Sequence, residues 1–194
     1  MTAQTLYLAS RSPRRVALLQ QIGITCKILP VNIDEAPLEN EQPENYVIRL
    51  AKQKAETCYK QLTLLQQKTP VLAADTTVVL ENTILGKPNN EEHARQMLRA
   101  LSGNVHYVHT AVALAIADST TVALSTTRVE MMMLTMAQID AYIATNDHAD
   151  KAGSYGIQGF AGAWIKHIEG SYSGVMGLPL YETAELLRTL GIKI

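Results

Sequence analysis

Leu6-Tyr7-Leu8-Ala9-Ser10-Arg11-Ser12-Pro13-Arg14-Arg15-Val16-Ala17-Leu18-Leu19 reads as a short apolar strand that breaks at Ser10 and turns straight into a helix. Ser12 stands at the N-cap and Pro13 at the first helical position, where a missing N–H costs nothing. Three arginines and two serines crowd this junction. A helix N-terminus presents open N–H groups and a partial positive charge, so it favours an anion and mildly opposes added arginine. A cationic cluster at that end points to a strongly negative ligand such as a polyphosphate. The stretch alone leaves plain solvated arginines equally open.

The rest of the chain supports a real core. Of its 194 residues 47% are hydrophobic and 18% charged, which excludes a disordered segment and suits one domain spanning 1–194. The net charge of −1 gives no broad field for nucleic acid, so phosphate recognition has to come from local clustering. Cys26 and Cys58 are far apart and in no metal-binding spacing, as in a reduced compartment. No charged-then-apolar leader opens the chain, and no apolar run approaches membrane-spanning length. These features predict a soluble cytoplasmic protein with neither a membrane nor a nucleic-acid partner.

Beyond Gly23, Thr25–Val31 reads as a second strand and leads into the acidic loop Asn32-Ile33-Asp34-Glu35-Ala36-Pro37. A long helix follows Pro43 with an apolar stripe of Val47, Leu50, Ala51, Cys58, Leu62 and Leu65. Lys54 lies on that stripe, where it must snorkel or meet an anion. Val71–Leu80 is the most buried-looking strand, interrupted by Asp75. A carboxylate there belongs at a sheet edge, on a cleft, beside a cation, or in a structural ion pair. Asn89 with Glu92 frames a capping box for a helix facing inward through Ala94, Met97, Leu98 and Leu101. Val105–Ala117 and Thr121–Leu134 read as a hairpin joined at Asp118-Ser119, with Met131-Met132-Met133 as core filling. Thr135 and Gln138 open another helix. Seven of the eleven glycines then fall between Gly153 and Gly177, which permits close approach of backbone to a ligand or strand. A strand over Trp164–Ile168 and a final helix through Leu180, Ala184, Leu187 and Leu190 complete the chain.

Several chemistries are excluded. There is no GxxxxGK[ST] loop, no GxGxxG after a strand, no HExxH and no GxSxG. The five histidines read as core or surface residues. What stands out is an inventory for phosphate chemistry: Ser10, Arg14, Arg15, Lys54 and Lys87, with the carboxylates Glu35 and Asp75. Mg²⁺ takes oxygen ligands, usually one or two carboxylates plus substrate phosphates. Cations would hold a polyphosphate, and a carboxylate could orient or deprotonate water.

In order along the chain, Ser10–Arg15, Arg49-Leu50-Ala51 with Lys54-Ala55, Ala74-Asp75-Thr76, Gly86-Lys87-Pro88, Leu101-Ser102-Gly103 and Asp150-Lys151-Ala152-Gly153 resemble the motif series of the Maf family of nucleoside triphosphate pyrophosphatases. The resemblance covers about residues 6–190. Tyr155-Gly156-Ile157-Gln158-Gly159 with Ile168-Glu169-Gly170-Ser171-Tyr172 is similar to the dTTP/UTP branch. The resemblance implies an α/β fold with a mixed sheet, elongated and two-lobed around a central cleft, as in inosine-triphosphate pyrophosphatases, and a homodimer. It also implies Asp75 as proton acceptor. Arg14, Thr76 and Gln158 then choose the substrate, Ser10, Arg15, Lys54 and Lys87 bind phosphate, and Glu35 with Asp75 handles a divalent cation, Mg²⁺ or Mn²⁺. One departure is visible: Asn146-Asp147-His148-Ala149 precedes the Asp-Lys-Ala-Gly motif where relatives tend to have a small residue and a glutamate.

Gln158 carries a separate argument. Its amide offers one donor and one acceptor face, matching O4 and N3–H of uracil or thymine, whereas cytosine presents the opposite pattern. The expected activity is hydrolysis of dTTP and UTP to the monophosphate and pyrophosphate, removing unwanted or modified pyrimidine nucleotides. The alternatives are a purine or 7-methyl-GTP pyrophosphatase, and a non-catalytic nucleotide sensor acting on cell division.

Overall fold

In a computed structural model, residues 5–117 and 119–194 are described. The chain runs β1 (Thr5–Leu8), α1 (Pro13–Gln21), β2 (Thr25–Ile28), α2 (Pro43–Lys60), β3 (Val71–Leu80), β4 (Thr83–Leu85), α3 (Glu91–Leu101), β5 (Val105–Ile116), β6 (Ser119–Met131), α4 (Met136–Ile143), β7 (Ile165–Glu169), α5 (Tyr172–Met176) and α6 (Leu180–Arg188). One mixed seven-stranded sheet has the order β2-β1-β3-β5-β6-β7, with β4 paired to β3. β1 pairs parallel to β2 and β3, and all other pairs are antiparallel. This is the α/β mixed sheet that the sequence predicts.

Strand alternation sorts the core into two faces. Leu6, Leu8, Leu72, Ala74, Val112 and Leu114 pack with Leu18, Leu19, Leu186 and Leu187 of α1 and α6. On the opposite face Tyr7, Ala9, Val71, Ala73, Ala111 and Ala113 lie under Val47, Ala51, Ala55 and Cys58 of α2. Further along β3 and β5, Val78 and Val108 join Leu98, Leu101, Ile139, Tyr142 and Trp164 in a second lobe built on α3, α4 and the glycine-rich segment. Thr76 and Thr110, paired in register, separate the first and third of these clusters.

The decisive break is at one edge of β3. β1 pairs with it only at Val71 and Leu72, and β4 only from Val78 to Leu80. Among the described residues, the edge from Ala74 to Thr77 therefore has no strand beside it. Asp75 lies in that gap, followed by Thr76 and Thr77, between the apolar runs Val71–Ala74 and Val78–Leu80.

Several local expectations need correction. β2 stops at Ile28, not Val31. Leu62 is buried just beyond the end of α2, but Leu65 is 83% exposed, because the helix has already ended at Lys60. Asn90, not Asn89, caps α3 by accepting from the His93 N–H, and Glu92 is one residue too early to close a box. Met131 is buried as core, yet Met133 points out. β6 covers Ser119–Met131, and Asp118 of the expected turn lies outside the described residues. Trp164 closes a short 3-10 helix before β7, so it precedes the strand instead of opening it, and Ser171 caps the short helix α5.

The capping box of α4 is present in both halves: the Thr135 hydroxyl accepts from Gln138 N–H, and the Gln138 carbonyl accepts from Thr135 N–H. Thr135→Ala removes it, and chemical denaturation is expected to report a loss of about 1 kcal/mol.

Candidate active site

A cleft of ≈ 850 Å³ opens at the gap in β3. All nine residues expected at a site line it: Ser10, Arg14, Arg15, Glu35, Lys54, Asp75, Thr76, Lys87 and Gln158. No histidine does. Asp75 and Thr76 point to opposite faces of the strand, so each organises a different wall.

On the α2 wall, small residues bring helix and sheet close. Ala51 and Ala55 meet Ala73 and Ala111, which holds Lys54 against Asp75. The Lys54 Nζ donates to Asp75 Oδ1 at 2.6 Å and lies 2.7 Å from Glu35 Oε1. Two carboxylates thus converge on one ammonium. Glu35 comes from the acidic loop, which α2 anchors: the Tyr46 hydroxyl donates to the Glu35 carbonyl, and Arg49 donates to the Ala36 carbonyl and to both oxygens of Glu41. That bond from Arg49 is the main reason the Glu41 carboxyl is held below its usual range. Burial pushes the Asp75 carboxyl above its ordinary value, against the opposing charges of Lys54 and Arg15. Burial, reinforced by the charges of Asp75 and Glu35, pushes the Tyr46 phenol up to about 12.

On the opposite wall Arg15 is fixed by three acceptors. Its Nε donates to the Gly177 carbonyl at 2.7 Å, and its two terminal nitrogens donate to Ser10 Oγ at 3.1 Å and Thr76 Oγ1 at 3.3 Å. Burial lowers the Arg15 pKa below the usual arginine value, with Asp75 opposing. Three of the five guanidinium hydrogens are used on neutral groups, and two are left for a ligand. Ser12 occupies the N-cap but makes no side-chain cap; its own N–H donates to Ser10 Oγ. The start of α1 therefore stays open toward the cleft.

The third wall comes from the second lobe. Gly153 N–H donates to the Gly86 carbonyl, which ties the Gly86-Lys87 segment to the Asp-Lys-Ala-Gly loop. Gly153 has φ +68°, and a Cβ there would come within 3.0 Å of Val78, so the turn requires glycine. Gln158 is exposed at the tip of a turn closed by Gly159 N–H on the Gly156 carbonyl.

The sequence did not single out as site residues Tyr46, Asp147, Asp150, Lys151 and Tyr155, which also line the cleft. Tyr46 was detectable: it lies eight residues before Lys54 on the same helical stripe. The others fall in a loop without periodicity, where only the motif itself marks them. Lys151 reaches Asp147 Oδ1 at 2.9 Å and Asp150 Oδ1 at 2.8 Å, and Asp150 lies 3.7 Å from Arg14.

The donor set suits a hard cation completed by substrate. No group of three or more His, Cys, Asp or Glu side chains poised for a metal occurs among the described residues. Asp75 and Glu35 nevertheless already share one cationic group, and a divalent ion with two protein carboxylates and phosphate oxygens is the usual Mg²⁺ arrangement.

No helix among the described residues is long and apolar enough to cross a membrane. A protein of Methylobacillus flagellatus named dTTP/UTP pyrophosphatase is 56% identical over 189 residues, 97% of this chain and 94% of that protein. Proteins of the same name from Nitrosospira multiformis and Pasteurella multocida are 50% identical over 97% of the chain and 96% of theirs, and 46% identical over the whole of both. Among solved structures, the Staphylococcus aureus Ham1 protein aligns with 66% of this chain and 71% of its own at TM-score 0.47 and 17% identity. The Maf-like protein family matches residues 5–190, and the chain belongs to that family.

Proposed function

We propose that the chain hydrolyses dTTP and UTP between the α- and β-phosphates, releasing the monophosphate and pyrophosphate. The observation that carries this reading is the buried Asp75 carboxylate, held by Lys54 and faced across the cleft by the pinned Arg15. The names of the relatives at 46–56% identity support the substrate pair.

In this reading Asp75 takes a proton from the attacking water as the new P–O bond forms and the bridging P–O bond breaks. A carboxyl raised by burial is a better base than an ordinary one, and the neighbouring Lys54 and Arg15 charges favour its ionised form. The two spare N–H groups of Arg15, together with Lys87 and Arg14, meet the charge that grows on the departing pyrophosphate. Lys54 holds Asp75 and Glu35 in place. Asp75 and Glu35 would hold a divalent ion, which would supply charge neutralisation on the phosphates. Gln158 reads O4 and N3–H of the base, and the 5-methyl of thymine needs only space. The same reading makes the protein a cytoplasmic homodimer that needs no nucleic acid, in keeping with its near-zero net charge.

Each nucleoside triphosphate, 7-methyl-GTP included, incubated with Mg²⁺ or Mn²⁺ and resolved by ion-exchange chromatography, tests the proposal. UMP and dTMP with equimolar pyrophosphate are expected. Orthophosphate as the first product, or a preference for purine nucleotides, would sink it.

A further inference from the structure

Gln158 is an exposed side chain without a protein partner among the described residues, so the backbone turn beneath it has to supply its aim. That turn is seated with little slack. Tyr142 of α4 is 1% exposed, and its hydroxyl both accepts from the Gly156 N–H at 3.2 Å and donates to Asp147 Oδ2 at 3.0 Å. The other Asp147 oxygen takes Lys151 Nζ, which also bonds the Asp147 main-chain carbonyl. A Cβ at Gly159 would fall 2.6 Å from Asp147 Oδ2, and one at Gly156 would fall 2.6 Å from Lys151 Cε. The two ends of the turn thus rest directly on this trio, and Asp150 carries the contact on to Arg14 across the cleft.

We infer that Tyr142, Asp147 and Lys151 form a positioning unit that sets the base-reading turn Gly156–Gly159, so that pyrimidine discrimination depends on residues that do not touch the base. Lys151 is paired with two carboxylates, Asp147 at 2.9 Å and Asp150 at 2.8 Å, which fixes its ammonium beneath the turn. Burial and the bond to Asp147 raise the Tyr142 phenol, which keeps it a donor throughout the working range. Asp147 reaches the turn because Gly159 lets the backbone come down onto it. The inference rests on the pyrimidine reading of the site.

The test uses the purified chain and Mg²⁺, with kcat and KM measured for UTP, dTTP and CTP. Tyr142→Phe keeps the ring packed edge-on against Trp164, whose centroid is 5.0 Å away, and removes only the hydroxyl. Asp147→Asn keeps the shape and removes the charge. Both are expected to raise KM for UTP and dTTP about tenfold, as one lost polar contact would, and to relax the UTP-to-CTP preference by a similar factor. In both, kcat and the unfolding temperature stay near the wild-type values. The double variant is expected to lose no more than the larger single, because the two act as one unit. An unchanged base preference in both single variants overturns the inference, as does a fall in kcat equal for every base. Should the wild-type chain prefer another base, the pyrimidine reading fails separately, and relaxation of that other preference in the same variants still decides whether the unit positions the turn.

Discussion

Asp75→Asn is expected to lower UTP turnover by about 10²–10⁴-fold, the usual contribution of a positioned proton acceptor, while the variant unfolds at no lower temperature than the wild type at pH 7. The two halves of this result have one cause. Asp75 lies in an apolar strand where burial disfavours its charge, and its carboxyl is accordingly raised. The folded chain then binds that proton more tightly than the unfolded chain. The carboxyl's contribution to stability is therefore fully favourable below the ordinary carboxylate pKa and is lost as pH rises through the folded value. An asparagine escapes this loss and still offers Lys54 an oxygen. Thermal unfolding of both proteins at pH 7 and pH 4 checks the sign: the variant's advantage should shrink as pH falls. Retained turnover, or a variant less stable than wild type at pH 7, would contradict the assignment.

Arg15→Lys is the second large effect. A lysine keeps the charge but cannot serve three acceptors arranged around a planar fork. It leaves the Gly177 carbonyl, Ser10 and Thr76 to readjust. We expect kcat/KM for UTP to fall about 10²–10³-fold, as when a preorganised donor is lost. Urea denaturation should show a loss of about 1–3 kcal/mol from the buried acceptor left unpaired. Arg14→Lys is the control. Arg14 is only partly buried and has a 3.7 Å contact to Asp150, so its stability effect should stay within about 0.5 kcal/mol. Equal losses in the two variants would mean that the fixed geometry of Arg15 counts for nothing.

Lys54 and Asp75 were legible in the sequence because each is a charge placed in an apolar pattern, and such an anomaly demands a partner. The partner proved to be the other anomaly. Arg15 was visible as part of a cluster, but its anchor was not, since nothing local links residue 15 to a carbonyl in the last sixth of the chain. Asp147 and Lys151 lie in a segment with neither helical nor strand period, so their burial could not be inferred. The slips at element ends have equally plain causes. Two adjacent asparagines make equivalent caps for α3, three residues are too few to announce β4, and Gly174 masks α5. The open edge of β3 could not be read at all, because pairing partners are a property of the whole sheet.

The bond from Arg15 to Gly177 spans 162 positions of the chain. Domains begin to fold from the N-terminus while synthesis continues. A ribosome that has released residues 1–100 has already exposed Ser10, Arg15, Lys54, Asp75 and Lys87, yet the guanidinium still lacks its carbonyl anchor. The chemistry residues come early and the clasp that aligns them comes last. A growing chain therefore carries the charges of the site before it has the Gly177 carbonyl that fixes Arg15 among them.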